Sequence, residues 1–178
     1  GFSKEMLVDL QKEIVDPRFA LDDYRTFQNY IGEEPAPGDI IVHYLSPRPQ
    51  DVESLMSGLI ACMDRMVSSP VSAVVTAAVI AFGFVFIHPF WDGNGRLHRF
   101  IIHYVLSRLG FAPKGIVFPV SAAILRDLRA YDKVLESTSK PLLELIKDYE
   151  INDAGEMVVR QPTGDLYRYL DCTTLSEY

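Results

Sequence analysis

Seventeen consecutive residues, Val71 to Ile87, carry no charge, and they run without interruption into the polar segment His88-Pro89-Phe90-Trp91-Asp92-Gly93-Asn94-Gly95-Arg96-Leu97-His98-Arg99. A helix of that length spans about 25 Å, short of the ~30 Å hydrocarbon core of a bilayer. It also lacks a basic flank to orient it in a membrane. A helix that is apolar on every side must instead be surrounded by protein. The chain is therefore expected to build layers of helix around this one, with Ser69 as N-cap and Pro70 as first helical residue.

The remaining periodicity agrees with a helical architecture. Val52, Leu55, Met56, Leu59, Ile60, Met63 and Val67 form a stripe at helical spacing, with Asp51 and Glu53 at its start. A second stripe, Leu97, Phe100, Ile101, Tyr104, Val105 and Leu109, begins inside the polar segment and stops at Gly110, so a helix is expected from about Asn94. Another is expected after Ser121, with Ile124, Leu125, Leu128, Tyr131 and Leu135 facing inward, and a shorter one over Leu142 to Tyr149. Two β-prone stretches, Thr26 to Ile31 and Ile40 to Leu45, flank the polar link Gly32 to Asp39 and predict a hairpin within residues 24–47. A smaller hairpin is expected where Asp153-Ala154-Gly155 separates Tyr149-Glu150-Ile151 from Met157-Val158-Val159.

The polar segment reads as a nucleotide site. A helix starting at Asn94 presents unpartnered backbone N–H groups and the positive end of its dipole, which together attract anions. Gly93 and Gly95 let the backbone approach a phosphate closely. Arg96 and Arg99, three apart, can grip a polyphosphate with planar guanidinium groups. Asp92 offers one hard oxygen ligand for magnesium. His88 closes the apolar helix and suits a general base. Phe90 reads as a core anchor, and Trp91 as either a second anchor or part of the rim.

These twelve residues resemble the signature of the Fic domain family, His-Pro-Phe-x-(Asp/Glu)-Gly-Asn-Gly-Arg-x-x-Arg, and every specified position is matched. The resemblance implies an all-α fold, a helical bundle around a central buried helix pair with a β-hairpin flap, acting as a protein adenylyltransferase. Such an enzyme moves AMP from ATP to a Ser, Thr or Tyr hydroxyl of a target protein and releases pyrophosphate. By resemblance His88 is the base, Asp92 the Mg2+ ligand, and Asn94 with the amides of Gly93 and Gly95 the anion hole for the α-phosphate. Arg96 and Arg99 then hold the β- and γ-phosphates. One branch of the family phosphorylates its target and carries Lys where this chain has Gly95, which argues against that branch.

By the same resemblance, residues 24–47 form the flap that receives the target as an added strand, and Arg25 and Gln28 fit its lead-in. The alternative for this hairpin is a purely structural cover over a core edge. Family members often restrain themselves with a (Ser/Thr)-x-x-x-Glu-(Gly/Asn) helix whose Glu pairs with the second motif arginine. Thr173 to Glu177 departs from that pattern at Tyr178 and is read as coincidence. Any restraint at Arg99 is expected from an upstream segment or a partner, or to be absent. Gly1 is not a natural initiator, which leaves room for residues upstream.

The 178 residues fit one domain, with residues 151–178 as a C-terminal appendage. A net charge of −7 disfavours nucleic acid as a partner. Two cysteines, Cys62 and Cys172, are too few for a disulfide framework, so a reducing cytoplasmic setting is expected, with no membrane partner and oligomerisation left open. His98 and His103, five apart, do not share a helix face, which argues against a zinc hydrolase. Another nucleotide or phosphocholine as donor, removal of AMP, or a non-catalytic peptide-binding module remain as alternative functions.

Overall fold

The computed structural model describes residues 1–111, 113 and 115–178. At its centre α3 (Ala73–Ile87) packs against α4 (Asn94–Arg108), and the short turn between them carries the polar motif. Ile80, Phe84, Leu97 and Ile101 are fully buried, and α2 (Pro49–Val67) packs on α3. Gly83 permits the close approach of α2, since a Cβ there would lie 2.7 Å from Leu59 Cδ1. The expected all-α bundle around a buried helix pair is what forms.

α3 starts later than expected. The Ser72 hydroxyl caps it by accepting from Val75 N at 3.2 Å. Ser69 is already committed to closing α2, its hydroxyl donating to the Met66 carbonyl oxygen at 2.9 Å. The capping role therefore passes to the next serine, and Pro70 lies outside the helix.

α1 (Lys4–Ile14), which the apolar pattern did not reveal, lies across α4 and buries Leu7, Val8 and Gln11. Ser3 caps it, accepting from Met6 N at 3.3 Å. The flap is an antiparallel pair, β1 (Tyr30–Ala36) and β2 (Asp39–Leu45), turning at Gly38 with φ of 82°. The first strand is displaced toward the C-terminus from the expected Thr26 to Ile31. Residues 25–29 are instead held by side-chain hydrogen bonds from Arg25, Gln28 and Asn29, which leaves no ladder for them to join.

The expected single helix after Ser121 is two, α5 (Val120–Arg126) and α6 (Leu128–Leu145). Asp127 breaks the chain at φ −139° and ψ 67° and caps α6, accepting from Ala130 N at 3.0 Å. That break rotates Leu125 and Leu128 outward, where they are 68% and 48% exposed rather than inward-facing. The separate helix expected over Leu142 to Tyr149 is the end of α6, which continues through Pro141 to Leu145.

The C-terminal hairpin forms where expected, β3 (Tyr149–Ile151) pairing with β4 (Met157–Val159). Two short helices follow, α7 (Gly164–Arg168) and α8 (Thr173–Glu177). They tie the C-terminal residues to the bundle: Tyr167 donates to the Leu45 carbonyl oxygen, and Leu175 is buried. Among the described residues no helix is long and apolar enough to cross a membrane.

Candidate active site

α3 ends because Pro89 cannot continue it, and His88 closes it in the left-handed region, at φ 54° and ψ 58°. Among the described residues it is the one non-glycine residue with positive φ, a conformation that costs a side-chain-bearing residue about 1–2 kcal/mol. What holds it there is Arg25, which is 2% exposed. Its Nε donates to the His88 carbonyl oxygen at 2.8 Å, and its two terminal nitrogens donate to the carbonyl oxygens of Phe27 at 2.8 Å and Pro47 at 2.7 Å. The Arg25 backbone N–H also donates to the Pro89 carbonyl oxygen at 2.9 Å. One guanidinium thus joins the end of α3 to both feet of the flap. Burial lowers its pKa to about 10, which still leaves it charged at neutral pH.

The His88 ring is fixed as well. Nδ1 lies 2.9 Å from the Val85 carbonyl oxygen, and a carbonyl only accepts, so Nδ1 carries the hydrogen and Nε2 is a bare acceptor. Burial pushes the imidazole pKa down to about 4, and the Arg25 charge acts in the same direction. The side chain is therefore neutral, with a free lone pair, at cellular pH.

After His88 the chain makes a closed turn. Asn94 is 2% exposed, and its side chain accepts from Phe90 N at 3.1 Å and donates to the Phe90 carbonyl oxygen at 2.8 Å. Both of its polar ends are spent on shaping the loop, so a contribution from Asn94 to an anion hole falls to its backbone amide. Gly93 sits at φ 89°, and a Cβ there would lie 2.8 Å from Val15 Cγ1, so glycine is required on two counts. Gln11 on α1 supports the turn from outside, its amide donating to the carbonyl oxygens of Phe19 at 3.0 Å and Asp92 at 3.4 Å.

The two arginines stand differently. Arg96 is drawn to Asp92, Nη2 to Oδ2 at 2.7 Å, and also donates to the Ile14 carbonyl oxygen. Arg99 folds back toward the start of α4, its Nη1 3.7 Å from where a Cβ on Gly95 would be. Its charge also reaches Tyr131 on α6, opposing the burial that raises that phenol's pKa to about 12. The glycine turn lies at the amino end of α4, directly after His88 and Pro89 in the chain, and Arg99 folds back onto that same helix start.

Asp92 is half-exposed, and its carboxylate is the one hard-oxygen side chain in the turn. Among the described residues no cluster of three or more metal-ligating side chains exists. A single carboxylate still fits magnesium, which is commonly held by one or two carboxylates together with substrate phosphates.

Among the described residues, His88 lines a smaller and a larger cleft. The smaller, about 280 Å³, lies between β2 and α6 and is walled by Val42, Tyr44, Leu135 and Glu136. The larger, about 720 Å³, lies between the flap's lead-in, Trp91 and the edge of the β3–β4 hairpin. Neither the Arg25 clamp, the Gln11 brace nor the hairpin wall was found from the sequence. For Gln11 the signal was a polar residue on the inward stripe of an amphipathic segment.

The Fic/DOC family matches residues 1–106 of the chain. A stretch of 78 residues is 35% identical to a "Protein adenylyltransferase Fic" of Nematostella vectensis, covering 42% of this chain and 18% of that protein. Its counterpart of the same name in Drosophila melanogaster is 33% identical over 91 residues, covering 51% of this chain and 16% of that protein. The chain thus spans less than a fifth of the length of these curated relatives. The fold is similar to the crystal structure of a Fic domain containing signaling protein from Bacteroides thetaiotaomicron. The TM-score is 0.65 at 19% identity, over 98% of this chain and 55% of that one.

Proposed function

The chain belongs to the Fic/DOC family, and from that premise we propose that it is a protein adenylyltransferase, transferring AMP from ATP to a hydroxyl of a target protein. The observation that carries this reading is His88: its Nδ1 is held by the Val85 carbonyl oxygen, which leaves Nε2 as a free acceptor on the residue that leads into the turn capped by Gly93. In the proposed reaction Nε2 takes the proton of the target hydroxyl as that oxygen attacks the α-phosphorus in line. The bond from the α-phosphorus to the bridging oxygen breaks, and pyrophosphate leaves with that oxygen. Backbone amides of Asn94 and Gly95 stabilise the α-phosphate charge, and that of Gly93 joins them on exchanging its bond to Asp92 Oδ1, 2.6 Å away, for phosphate. Arg99, already folded back to the helix start, binds the leaving phosphates, and Arg96 joins it on exchanging its Asp92 contact for phosphate. Asp92 is the residue that would hold Mg2+, which supplies further neutralisation of the polyphosphate.

The nucleoside is assigned to the smaller cleft, because α6 passes from Tyr131, beside Arg99, directly to the residues that wall it. The target protein is assigned to the outer edge of β1, whose residues after Tyr30 are all exposed, and strand addition there needs only main-chain hydrogen bonds. Any inhibitory segment or partner would act at Arg99. Both cysteines are free thiols, which suits a reducing, cytoplasmic setting.

Labelled ATP supplied with a cell lysate and magnesium tests the activity. Label is expected on protein with the intact chain and is lost with His88→Ala, while ATP binding by that variant stays within a few-fold of normal. Transfer that survives in His88→Ala would refute the assignment of the base.

A further inference from the structure

The larger cleft is built for an aromatic side chain. Its outer wall is Trp91, 52% exposed, set edge-to-face against Phe27 at 5.5 Å and 74°, and Phe27 itself is 37% exposed. Large aromatics left open to solvent beside a base form a ready contact surface for another ring. The position of Trp91 is fixed from behind by Phe19, edge-to-face at 5.1 Å. The opposite wall is the β4 edge, with Met157 and Val158. That hairpin is held rigid at its turn, where Asn152 Oδ1 accepts from Ala154 N at 3.0 Å and Glu156 N at 2.9 Å. Gln28 and His88 also line the cleft. The cleft runs directly into Tyr30, the first residue of β1, so a segment paired with the flap delivers a side chain into it.

We propose that this cleft receives the acceptor residue and that the acceptor is a tyrosine, its ring against Trp91 and Phe27 and its phenol oxygen at His88 Nε2. This deepens the adenylyltransferase reading and rests on it. The proton passes from the phenol to Nε2, the phenolate oxygen bonds to the α-phosphorus of ATP, and pyrophosphate leaves. A seryl or threonyl hydroxyl, on a side chain without a ring, leaves the aromatic walls uncovered. The chemistry points the same way. A phenol, with a pKa near ~10, is far more acidic than an aliphatic alcohol and gives up its proton to Nε2 more readily.

Trp91 is the single tryptophan of the chain and reports on the cleft directly. The intact protein is titrated with three capped pentapeptides, Gly-Gly-X-Gly-Gly with X as Tyr, Thr or Ser. The indole is excited at its red edge, where tyrosine does not absorb. The tyrosine peptide is expected to change the emission saturably, with an affinity at least tenfold above the other two. Phe27→Ala is expected to lower that affinity about fivefold and to leave the other two unchanged. Equal affinities, or no saturable change with any peptide, overturn the proposal. The same peptides are then incubated with ATP and magnesium and weighed by mass spectrometry. AMP on the tyrosine peptide supports the proposal, and AMP chiefly on Thr or Ser overturns it. Selective tyrosine binding without any AMP transfer overturns the adenylyltransferase reading and leaves the aromatic cleft standing.

Discussion

Asp92 Oδ2 and Arg96 Nη2 are 2.7 Å apart, so the residue assigned to the metal and one assigned to phosphate neutralise each other until substrate arrives. The pair is half-exposed and joins adjacent turns, which limits its worth to about 0–1 kcal/mol. Asp92→Asn is therefore expected to change unfolding free energy by less than about 1 kcal/mol while weakening ATP binding about tenfold in magnesium. Without magnesium the variant should bind ATP as well as the parent or better, since Arg96 is freed. Calorimetric titration with and without the ion separates the two effects. Equal loss in both would remove Asp92 from the metal role.

The Arg25 clamp predicts a large structural effect at a residue with no assigned part in the reaction. Arg25→Met leaves the carbonyl oxygens of His88, Phe27 and Pro47 without this donor in a buried setting, a cost of about 3 kcal/mol or more. Arg25→Lys should recover little, because a single ammonium cannot span three directions. Denaturant unfolding reads the loss, and a cost below about 1 kcal/mol for Arg25→Met would show that the clamp is not what fixes the loop.

Gly93→Ala combines two penalties that a second substitution can separate. The positive φ costs about 1–2 kcal/mol, and the Cβ contact with Val15 adds about 1–3 kcal/mol. Pairing it with Val15→Ala removes the contact and leaves the backbone term. The combined variant should thus be less damaged than the sum of the two single changes. Simple additivity would mean that α1 yields freely to the intruding methyl.

Acid should weaken the fold through two histidines. Burial lowers both His88 and His98 to about 4, so between about pH 6.5 and 4 the unfolded chain binds protons that the folded chain refuses. Stability is complete above that window and falls as pH drops through it. The His98 share approaches about 3 kcal/mol at its lower end. His98 is wholly buried, with Nδ1 on the Ala81 carbonyl oxygen at 2.8 Å and Nε2 unpartnered. His98→Phe should flatten the slope of unfolding free energy against pH in this range. An unchanged slope would place the acid sensitivity elsewhere.

The motif was legible because its chemistry dictates residue types at fixed local spacing: the αL turn at Gly93 and the helix start at Asn94 follow from adjacent residues, whereas the separate courses of Arg96 and Arg99 do not. What escaped was set by contacts between distant parts of the chain. Nothing near Arg25 indicates that its partners are His88 and Pro47, 63 and 22 residues away. Nothing local to Ser69 shows that α2 will claim its hydroxyl and shift the start of α3. Periodicity placed α5 and α6 in one helix because Leu125 and Leu128 suit a stripe. The outcome was decided by Asp127, whose side chain gains more by capping a new helix than by sitting inside an old one. In the flap, β propensity in Thr26 to Ile31 lost to side chains that hydrogen-bond the same backbone.

α3 has hydrocarbon on every side, and the hydroxyl of its buried Thr76 is turned inward to the Ser72 carbonyl oxygen at 2.9 Å. A half-assembled chain therefore offers this segment no wet face, and the motif loop hangs from its last residue. Damage to any layer around α3 should surface in a cell as clumping and clearance of the polypeptide, rather than as a sluggish catalyst that persists.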